Sequence, residues 1–157
     1  MPKHYQPNLE SISTHTIPQW YHDSKFGIFI HWGIYSVPAF AQPTGRLGTI
    51  PFDERWFAYN PYAEWYCNSV RCGFGPSYEH HLKTYGKEFD YENFADLFKA
   101  ENYNPDEWAK LFAASGAKYV IPTTKHHDGF CLWNSAYTDY NAAVRGPGRD
   151  LMTPLCE

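Results

Sequence analysis

Two short apolar segments, separated by helical patterns, constrain the fold of this chain most. The first, Phe26–Trp32, is almost continuously apolar, which is typical of a strand buried on both faces of a parallel sheet. The second, Lys118–Thr124, follows a helix that the pattern predicts from Asn104 as N-cap to Gly116 as C-terminal stop. Pro122 lacks a backbone N–H, so regular strand pairing is expected to end near it. The order of strand, helices and strand predicts an α/β fold with a parallel sheet.

The chain between these strands combines a long loop with several short helical patterns. The loop, Gly33–Pro61, is rich in glycine and proline, and a compact domain rarely keeps so long a loop without a use for it. Helical turns are expected over Ala63–Val70 and Ser77–Lys83. Two sets of apolar side chains at helical spacing are predicted to face the core. They are Phe94, Leu97 and Phe98, with Asp90 as the cap of their helix, and Trp108, Leu111 and Phe112.

The length and the number of strands limit the domain organisation. The chain has 157 residues, whereas a (β/α)₈ barrel typically has about 250. Only two strands are clearly predicted, and Gly146–Arg149 is expected to be a turn before a further helix. Residues 1–157 are therefore predicted to be the N-terminal part of one larger α/β domain, ending after about two strands.

Composition excludes several classes of protein. Hydrophobic residues make up 43% of the chain, which is too many for a disordered protein, and no apolar run reaches the roughly 20 residues of a membrane span. The net charge of −4, without a basic patch, argues against nucleic-acid binding. Met1–Trp20 has no apolar signal region, so a cytoplasmic location is expected, with a lysosomal or secreted one left open. The four cysteines are expected to be free thiols, although Cys67 and Cys72 are close enough in sequence to pair in an oxidising compartment.

Histidines follow both predicted strands, where parallel α/β folds build their sites. His31 follows the first strand, and His126 and His127 follow the second. A single histidine there is as often a core residue as a functional one, but two adjacent imidazoles are costly to bury without partners. Asp128 is expected either to orient one of these rings or simply to form the turn before Gly129.

Two kinds of chemistry fit these residues. Imidazole and carboxylate groups are suitable metal ligands, but neighbours on a strand point to opposite faces, so direct hydrogen bonding is favoured over a metal site. Glu64 and Trp65 form a second candidate pair, because a carboxylate beside an indole ring suits a sugar. The alternative is a solvent-facing Glu64 beside a Trp65 that packs inward. No convincing pair of carboxylates for glycosidic bond cleavage is present.

Several segments, in the same order, resemble the α-L-fucosidases of glycoside hydrolase family 29. The most specific is Thr124–Phe130, with Gly116–Val120 just before it. Lys25–Pro38 and Glu64–Tyr66 are also similar to the family. The similarity extends over roughly residues 18–151 and includes the shorter matches at Tyr85–Gly86 with Phe89, Phe94–Ala95, Leu97–Ala100, Gly146–Pro147 and Arg149–Asp150.

The resemblance implies a fold, an activity and residue roles. It implies the N-terminal portion of a distorted TIM-type (β/α)₈ barrel and retaining hydrolysis of terminal α-L-fucose from fucosylated glycans, without a cofactor. His31, His126 and His127 match histidines that contact fucose, and Glu64 and Trp65 match a sugar-contacting pair. The nucleophilic aspartate and the acid/base carboxylate are expected beyond Glu157, so no catalytic residue is assigned within the chain.

Two other hypotheses about the function also fit the sequence. The chain is alternatively a sugar-binding or decayed fragment without catalytic power, or a metal-dependent barrel hydrolase that uses the histidines. The isolated chain is expected to be inactive and poorly folded because a two-stranded sheet has open edges. A homo-oligomer of the full-length protein is left open.

Overall fold

A computed structural model describes residues 4–43, 45–46, 49–53 and 55–157. Part of the predicted loop, namely positions 44, 47, 48 and 54, thus lies outside the described residues. The described part of this loop is more regular than its sequence predicts. It contains a 3₁₀ turn and a short helix, and it buries Ile34, Tyr35 and Ala58.

The described elements are mostly short helices around one two-stranded sheet. The helices are α1 Leu9–Ser13, α2 Gln19–Ser24, α3 Arg55–Ala58, α4 Tyr66–Arg71, α5 Pro76–Tyr85, α6 Phe94–Leu97, α7 Pro105–Ala114 and α8 Thr153–Cys156. The strands are β1 Ile28–Ile30 and β2 Val120–Pro122, and 3₁₀ turns cover Ile34–Ser36, Ala63–Trp65 and Tyr91–Asn93. Helices were predicted over the regions of α4, α5, α6 and α7, and these predictions are confirmed.

The two strands pair in parallel, as predicted. Ile28 pairs with Val120, and Ile30 pairs with Pro122. Regular pairing ends at Pro122, and the next residue, Thr123, donates its backbone N–H to the carbonyl of Ile30 at 2.9 Å. The chain is therefore an α/β structure in which both strands deliver their carboxyl ends to the same edge of the sheet.

The sequence predicts that β1 is buried on both faces, and this prediction is wrong for the described residues. Phe29 is 65% exposed, and its partner in β2, Ile121, is 44% exposed. Alternate residues of a strand point to opposite faces, so Ile28 and Ile30 are half-buried on the other side. The face of the sheet that carries Phe29 and Ile121 is thus apolar and exposed.

Two of the predicted helical stripes are only partly correct. The Asn104 side chain accepts from the N–H of Glu107 at 3.2 Å, which confirms the predicted cap of α7, but Leu111 in that helix is 66% exposed. In α6, Phe94 is buried, while Leu97 is 51% exposed. The chain leaves the helical conformation at Phe98, which is itself buried. Asp90 occupies the cap position of the preceding 3₁₀ turn, but its side chain makes no capping hydrogen bond.

The hydrophobic core lies beyond the carboxyl ends of the strands. Its buried members come from the turn after β1, from α4, from residues 91–103 around α6, and from the loops after β2. They include Ile34, Tyr66, Phe94, Phe130 and Leu151, all almost fully buried. This core holds together the loops that follow the two strands, and it is these loops that carry the predicted site residues.

The described residues contain no helix that is long and apolar enough to cross a membrane. All four cysteine thiols, at positions 67, 72, 131 and 156, are free in the structure. Burial raises the pKa of the Cys67 thiol to about 11, so this thiol is protonated at neutral pH.

Candidate functional site

The parallel sheet brings the predicted histidines together. His31 directly follows β1, and its ring centroid lies 5.5 Å from that of His126, which follows β2. The ring of His127 is nearly perpendicular to that of His126, at a centroid distance of 4.8 Å. The strand predicted to Thr124 ends at Pro122, so both of these histidines lie in a turn rather than on a strand. Three imidazoles thus meet at one edge of the sheet.

Trp65 joins this cluster from the 3₁₀ turn Ala63–Trp65. Its indole ring lies 4.5 Å from the ring of His127 and 6.4 Å from that of His126. Phe57 stacks on the same indole at 5.7 Å, with an angle of 27° between the ring planes. Trp65 is therefore held in place by Phe57 while it remains in contact with the histidines.

Glu64 contributes a carboxylate to the same place. It lies in the 3₁₀ turn Ala63–Trp65 and is half-buried, so it is not the solvent-facing residue of the alternative interpretation. Its charge raises the pKa of His126, although burial and the neighbouring imidazoles have the larger effect and lower that pKa below its usual range. His126 is therefore neutral at pH 7, with one ring nitrogen able to donate and the other to accept. The structure thus brings all five predicted site residues together.

Asp128 forms the turn after the histidines instead of orienting either ring. Its Oδ1 atom accepts from the N–H of Phe130 at 3.0 Å, and its Oδ2 atom accepts from the hydroxyl of Tyr91 at 2.9 Å. Burial raises the pKa of Asp128, and these two hydrogen bonds together with the nearby histidines oppose that rise. The turn-forming interpretation of Asp128 is therefore the one that its hydrogen bonds support.

Two tyrosines belong to the site although sequence analysis gave them no role. Tyr35 is buried, with its ring 5.5 Å from that of His126, and burial and the charges of Asp128 and Glu64 raise its pKa. Tyr91 reaches the site through its hydrogen bond to Asp128. Tyr35 stands four residues after His31, which is a weak signal in the sequence. Tyr91 is 37 residues from Asp128, and no spacing rule connects them.

The metal interpretation has no geometric support in the part of the chain that the structure describes. There, no group of three or more His, Cys, Asp or Glu side chains is arranged to hold a metal ion. The cluster does combine neutral imidazole, carboxylate and indole groups. Such a set donates and accepts hydrogen bonds and covers apolar C–H surface, which is what a sugar requires of its binding site.

Comparison with known proteins gives a consistent result. The family model described as "Alpha-L-fucosidase" matches residues 1–157. The plasma alpha-L-fucosidase of Homo sapiens is 39% identical over 153 residues, which cover 96% of this chain and 28% of that protein. The alpha-L-fucosidase of Dictyostelium discoideum is also 39% identical, over 155 residues that cover 96% of this chain and 30% of that protein.

Solved structures agree with these sequence matches. A structure described as "alpha-L-fucosidase" superposes with a TM-score of 0.89 at 61% identity, covering 97% of this chain and 34% of that one. The Thermotoga maritima alpha-fucosidase in complex with fucose gives a TM-score of 0.84 at 58% identity, again covering 97% of this chain and 34% of that one. The chain thus spans about a third of the length of the proteins it matches. It belongs to the α-L-fucosidase family.

Proposed function

We propose that residues 1–157 are the N-terminal part of the (β/α)₈ catalytic barrel of a retaining exo-α-L-fucosidase. In this proposal the chain supplies one wall of the fucose-binding site and releases terminal fucose from fucosylated glycans together with residues beyond Glu157. The observation that carries the proposal is the convergence of His31, His126 and His127 with the Glu64–Trp65 pair at one edge of the sheet.

Each group in this wall has a role that suits a sugar. The imidazoles of His31, His126 and His127 donate to or accept from fucose hydroxyls, and the Glu64 carboxylate accepts from a hydroxyl hydrogen. The indole of Trp65 covers an apolar face of the ring. Fixing the sugar in this way lowers the barrier through orientation, and hydrogen bonds that shorten at the oxocarbenium-like transition state lower it further.

The carboxylates of the described site do not provide a retaining mechanism by themselves. That mechanism needs a nucleophile and an acid/base group on opposite sides of the glycosidic bond. Both oxygens of Asp128 already accept hydrogen bonds, one from the Tyr91 hydroxyl and one from the N–H of Phe130. Glu64 is then the remaining carboxylate next to the histidines. We place the nucleophilic aspartate and the acid/base carboxylate, which the resemblance to the family implies, beyond Glu157 and expect the isolated chain to be inactive.

The test uses the full-length protein that carries this chain. Its kcat/KM is measured with the aryl α-L-fucoside and with matched aryl β-D-galactoside and α-L-rhamnoside substrates, and NMR identifies the anomer of fucose released first. We expect preference for the fucoside and α-fucose as the first product, because two inversions through a covalent intermediate retain configuration. β-Fucose as the first product contradicts the retaining mechanism.

The same measurement separates the remaining candidates. Fucose that binds without any turnover of the fucoside is the result expected of a sugar-binding or decayed protein, and it overturns the catalytic proposal. Turnover that disappears with a chelator and returns with a transition metal supports the metal-dependent hydrolase instead.

A further inference from the structure

The hydroxyl of Tyr91 connects the candidate site to the hydrophobic core. It donates to Oδ2 of Asp128 at 2.9 Å, and Asp128 directly follows the histidine pair in sequence. None of the roles proposed above for fucose binding includes either residue. Tyr91 does not contact the imidazole rings, so any influence it has on them is exerted through Asp128.

Tyr91 is well suited to act as an anchor. It is buried in the turn Tyr91–Asn93, and its ring packs against Phe94 at 5.5 Å and Tyr66 at 6.4 Å. Both of these aromatic residues are almost fully buried. The Tyr91 hydroxyl is therefore fixed by close-packed neighbours, and its hydrogen bond to a carboxylate is of the stronger, charge-assisted kind.

Asp128 transmits this anchoring to the histidines. Its second oxygen accepts from the N–H of Phe130, and the N–H of Gly129 donates to the carbonyl of His126 at 3.0 Å. Both hydrogen bonds lie within residues 126–130 and stabilise this turn internally. Without the bond to Tyr91, this turn keeps its internal hydrogen bonds and the packing of Phe130 in the core, but loses its hydrogen bond to the 3₁₀ turn Tyr91–Asn93.

The charge of Asp128 also acts on the site. It raises the pKa of His126 and thereby opposes the effects of burial and of the neighbouring imidazoles. Several other titratable groups face this carboxylate from the elements packed around it. They are His127 of the same turn, Tyr35 from the turn after β1, Cys67 from α4, Tyr91 and Tyr140.

We infer that Tyr91 and Asp128 are positioning residues for fucose: their hydrogen bond holds the His126–His127 turn so that both imidazoles meet the sugar. This inference rests on the proposed function. It assigns to Tyr91 a part in sugar affinity, although its ring is buried in the core and touches neither Trp65 nor the histidines.

The test compares Tyr91→Phe with wild type in the full-length protein. This substitution removes one hydroxyl and keeps the ring that packs in the core. We expect the inhibition constant of free L-fucose and the KM of an aryl α-L-fucoside to rise about tenfold, the size expected when a hydrogen bond to a charged group is lost. We expect kcat to change much less, because the groups that break the glycosidic bond are elsewhere.

Tyr103→Phe is the matched control. Tyr103 is as buried as Tyr91 when the whole residue is considered, and its hydroxyl donates to the carbonyl of Leu151 at 2.7 Å rather than to a residue of the histidine turn. Both variants are expected to lower the melting temperature, because each loses a buried hydrogen bond. Only Tyr91→Phe is expected to change the fucose inhibition constant.

A second pair of variants tests the role of Asp128. Asp128→Ala is expected to weaken fucose binding as Tyr91→Phe does. Asp128→Asn keeps Oδ1 for the N–H of Phe130 and lets its amide N–H donate to the Tyr91 hydroxyl, so it is expected to restore part of the affinity. An active enzyme whose fucose inhibition constant is the same in wild type and Tyr91→Phe overturns the inference but not the proposed function. A wild-type protein that neither binds fucose nor cleaves the fucoside overturns the proposed function, and the inference falls with it.

Discussion

The indole ring of Trp65 lies 4.5 Å from the imidazole ring of His127, and this contact joins the loop after the first strand to the turn after the second. Each residue comes from a different connection of the sheet, so their contact depends on the fold. Phe57 stacks on the same indole and fixes it from another direction. The site is therefore assembled by the packing of loops against a shared core, and its geometry depends on residues that never contact a substrate.

Gly146 is expected to be indispensable for the packing of the loop after β2. Its φ is +68°, and a Cβ atom at this position would overlap the carbonyl oxygens of Ala95 and Phe98. Gly146→Ala is therefore expected to lower the free energy of unfolding by about 3 kcal/mol or more. Gly148→Ala is the matched control, because Gly148 has a similar φ of +65° but no atom within 4 Å of the Cβ position.

Urea denaturation of the full-length protein measures both glycine variants. Gly148→Ala is expected to cost only the backbone strain, about 1 kcal/mol. Equal losses of unfolding free energy in the two variants would show that the overlap with the carbonyl oxygens of Ala95 and Phe98 adds nothing to the cost of Gly146→Ala.

His126 is expected to make stability depend on pH in the mildly acidic range. Burial lowers its pKa in the folded protein below the ordinary value of 6.5, so the unfolded chain takes up a proton at a pH where the folded chain does not. Stability is then complete above about pH 6.5 and decreases as the pH falls towards the lowered pKa. His126→Gln should flatten the decrease in melting temperature between about pH 7 and pH 5.

His80 provides an internal comparison for this effect. Burial also lowers the pKa of His80, and its ring stacks on Phe40 at 3.8 Å, outside the histidine cluster of the site. His80→Gln should flatten the same part of the curve, and the effects of the two substitutions should add because the residues are not in contact. A pH profile that is unchanged in His126→Gln contradicts the assignment of a neutral, half-buried imidazole.

The 157-residue chain produced on its own is expected to unfold without a sharp transition. Its sheet has unpaired strand edges, and its exposed face carries Phe29 and Ile121, which favours association between copies. Calorimetry and light scattering check this directly. A sharp, reversible and concentration-independent melt would show that the chain folds independently.

Activity is expected to be independent of metal ions. The described residues provide no cluster of three or more side chains suited to bind one, and the proposed roles of the histidines need only hydrogen bonds. Dialysis of the full-length protein against a chelator should leave kcat/KM for the fucoside unchanged within about twofold, with less than about a tenth of an equivalent of transition metal bound. Loss of activity that added zinc restores would contradict this prediction.

The sequence predicts the positions of the strands and of the α7 cap well, because strand order and helix capping follow from residue patterns. Two apolar strands in parallel order place His31 and His126 at the same edge, and the structure confirms this. The cap of α7 at Asn104 depends only on its neighbours and is also confirmed.

The errors have a common physical origin. Leu97 and Leu111 have the spacing of buried residues, yet each is more than half exposed, because burial depends on what packs against a helix and not on its periodicity alone. Tyr91 was missed for the same reason, since its partner Asp128 is distant in sequence and only the core brings them together. For Asp128 itself, the turn before Gly129 was one of the two alternatives and agrees with its hydrogen bond to Phe130, whereas its hydrogen bond to Tyr91 could not be read from spacing.

The role of the histidine cluster in fucose binding is tested most directly by the kcat/KM of His31→Ala and His127→Ala for an aryl α-L-fucoside, measured in the full-length protein. The matched control is His22→Ala, which removes an exposed histidine of α2. We expect each site variant to lose well over tenfold in kcat/KM, about 1.4 kcal/mol or more of transition-state stabilisation, while the control keeps wild-type activity. Near wild-type turnover in both His31→Ala and His127→Ala would contradict the assignment of this cluster to fucose.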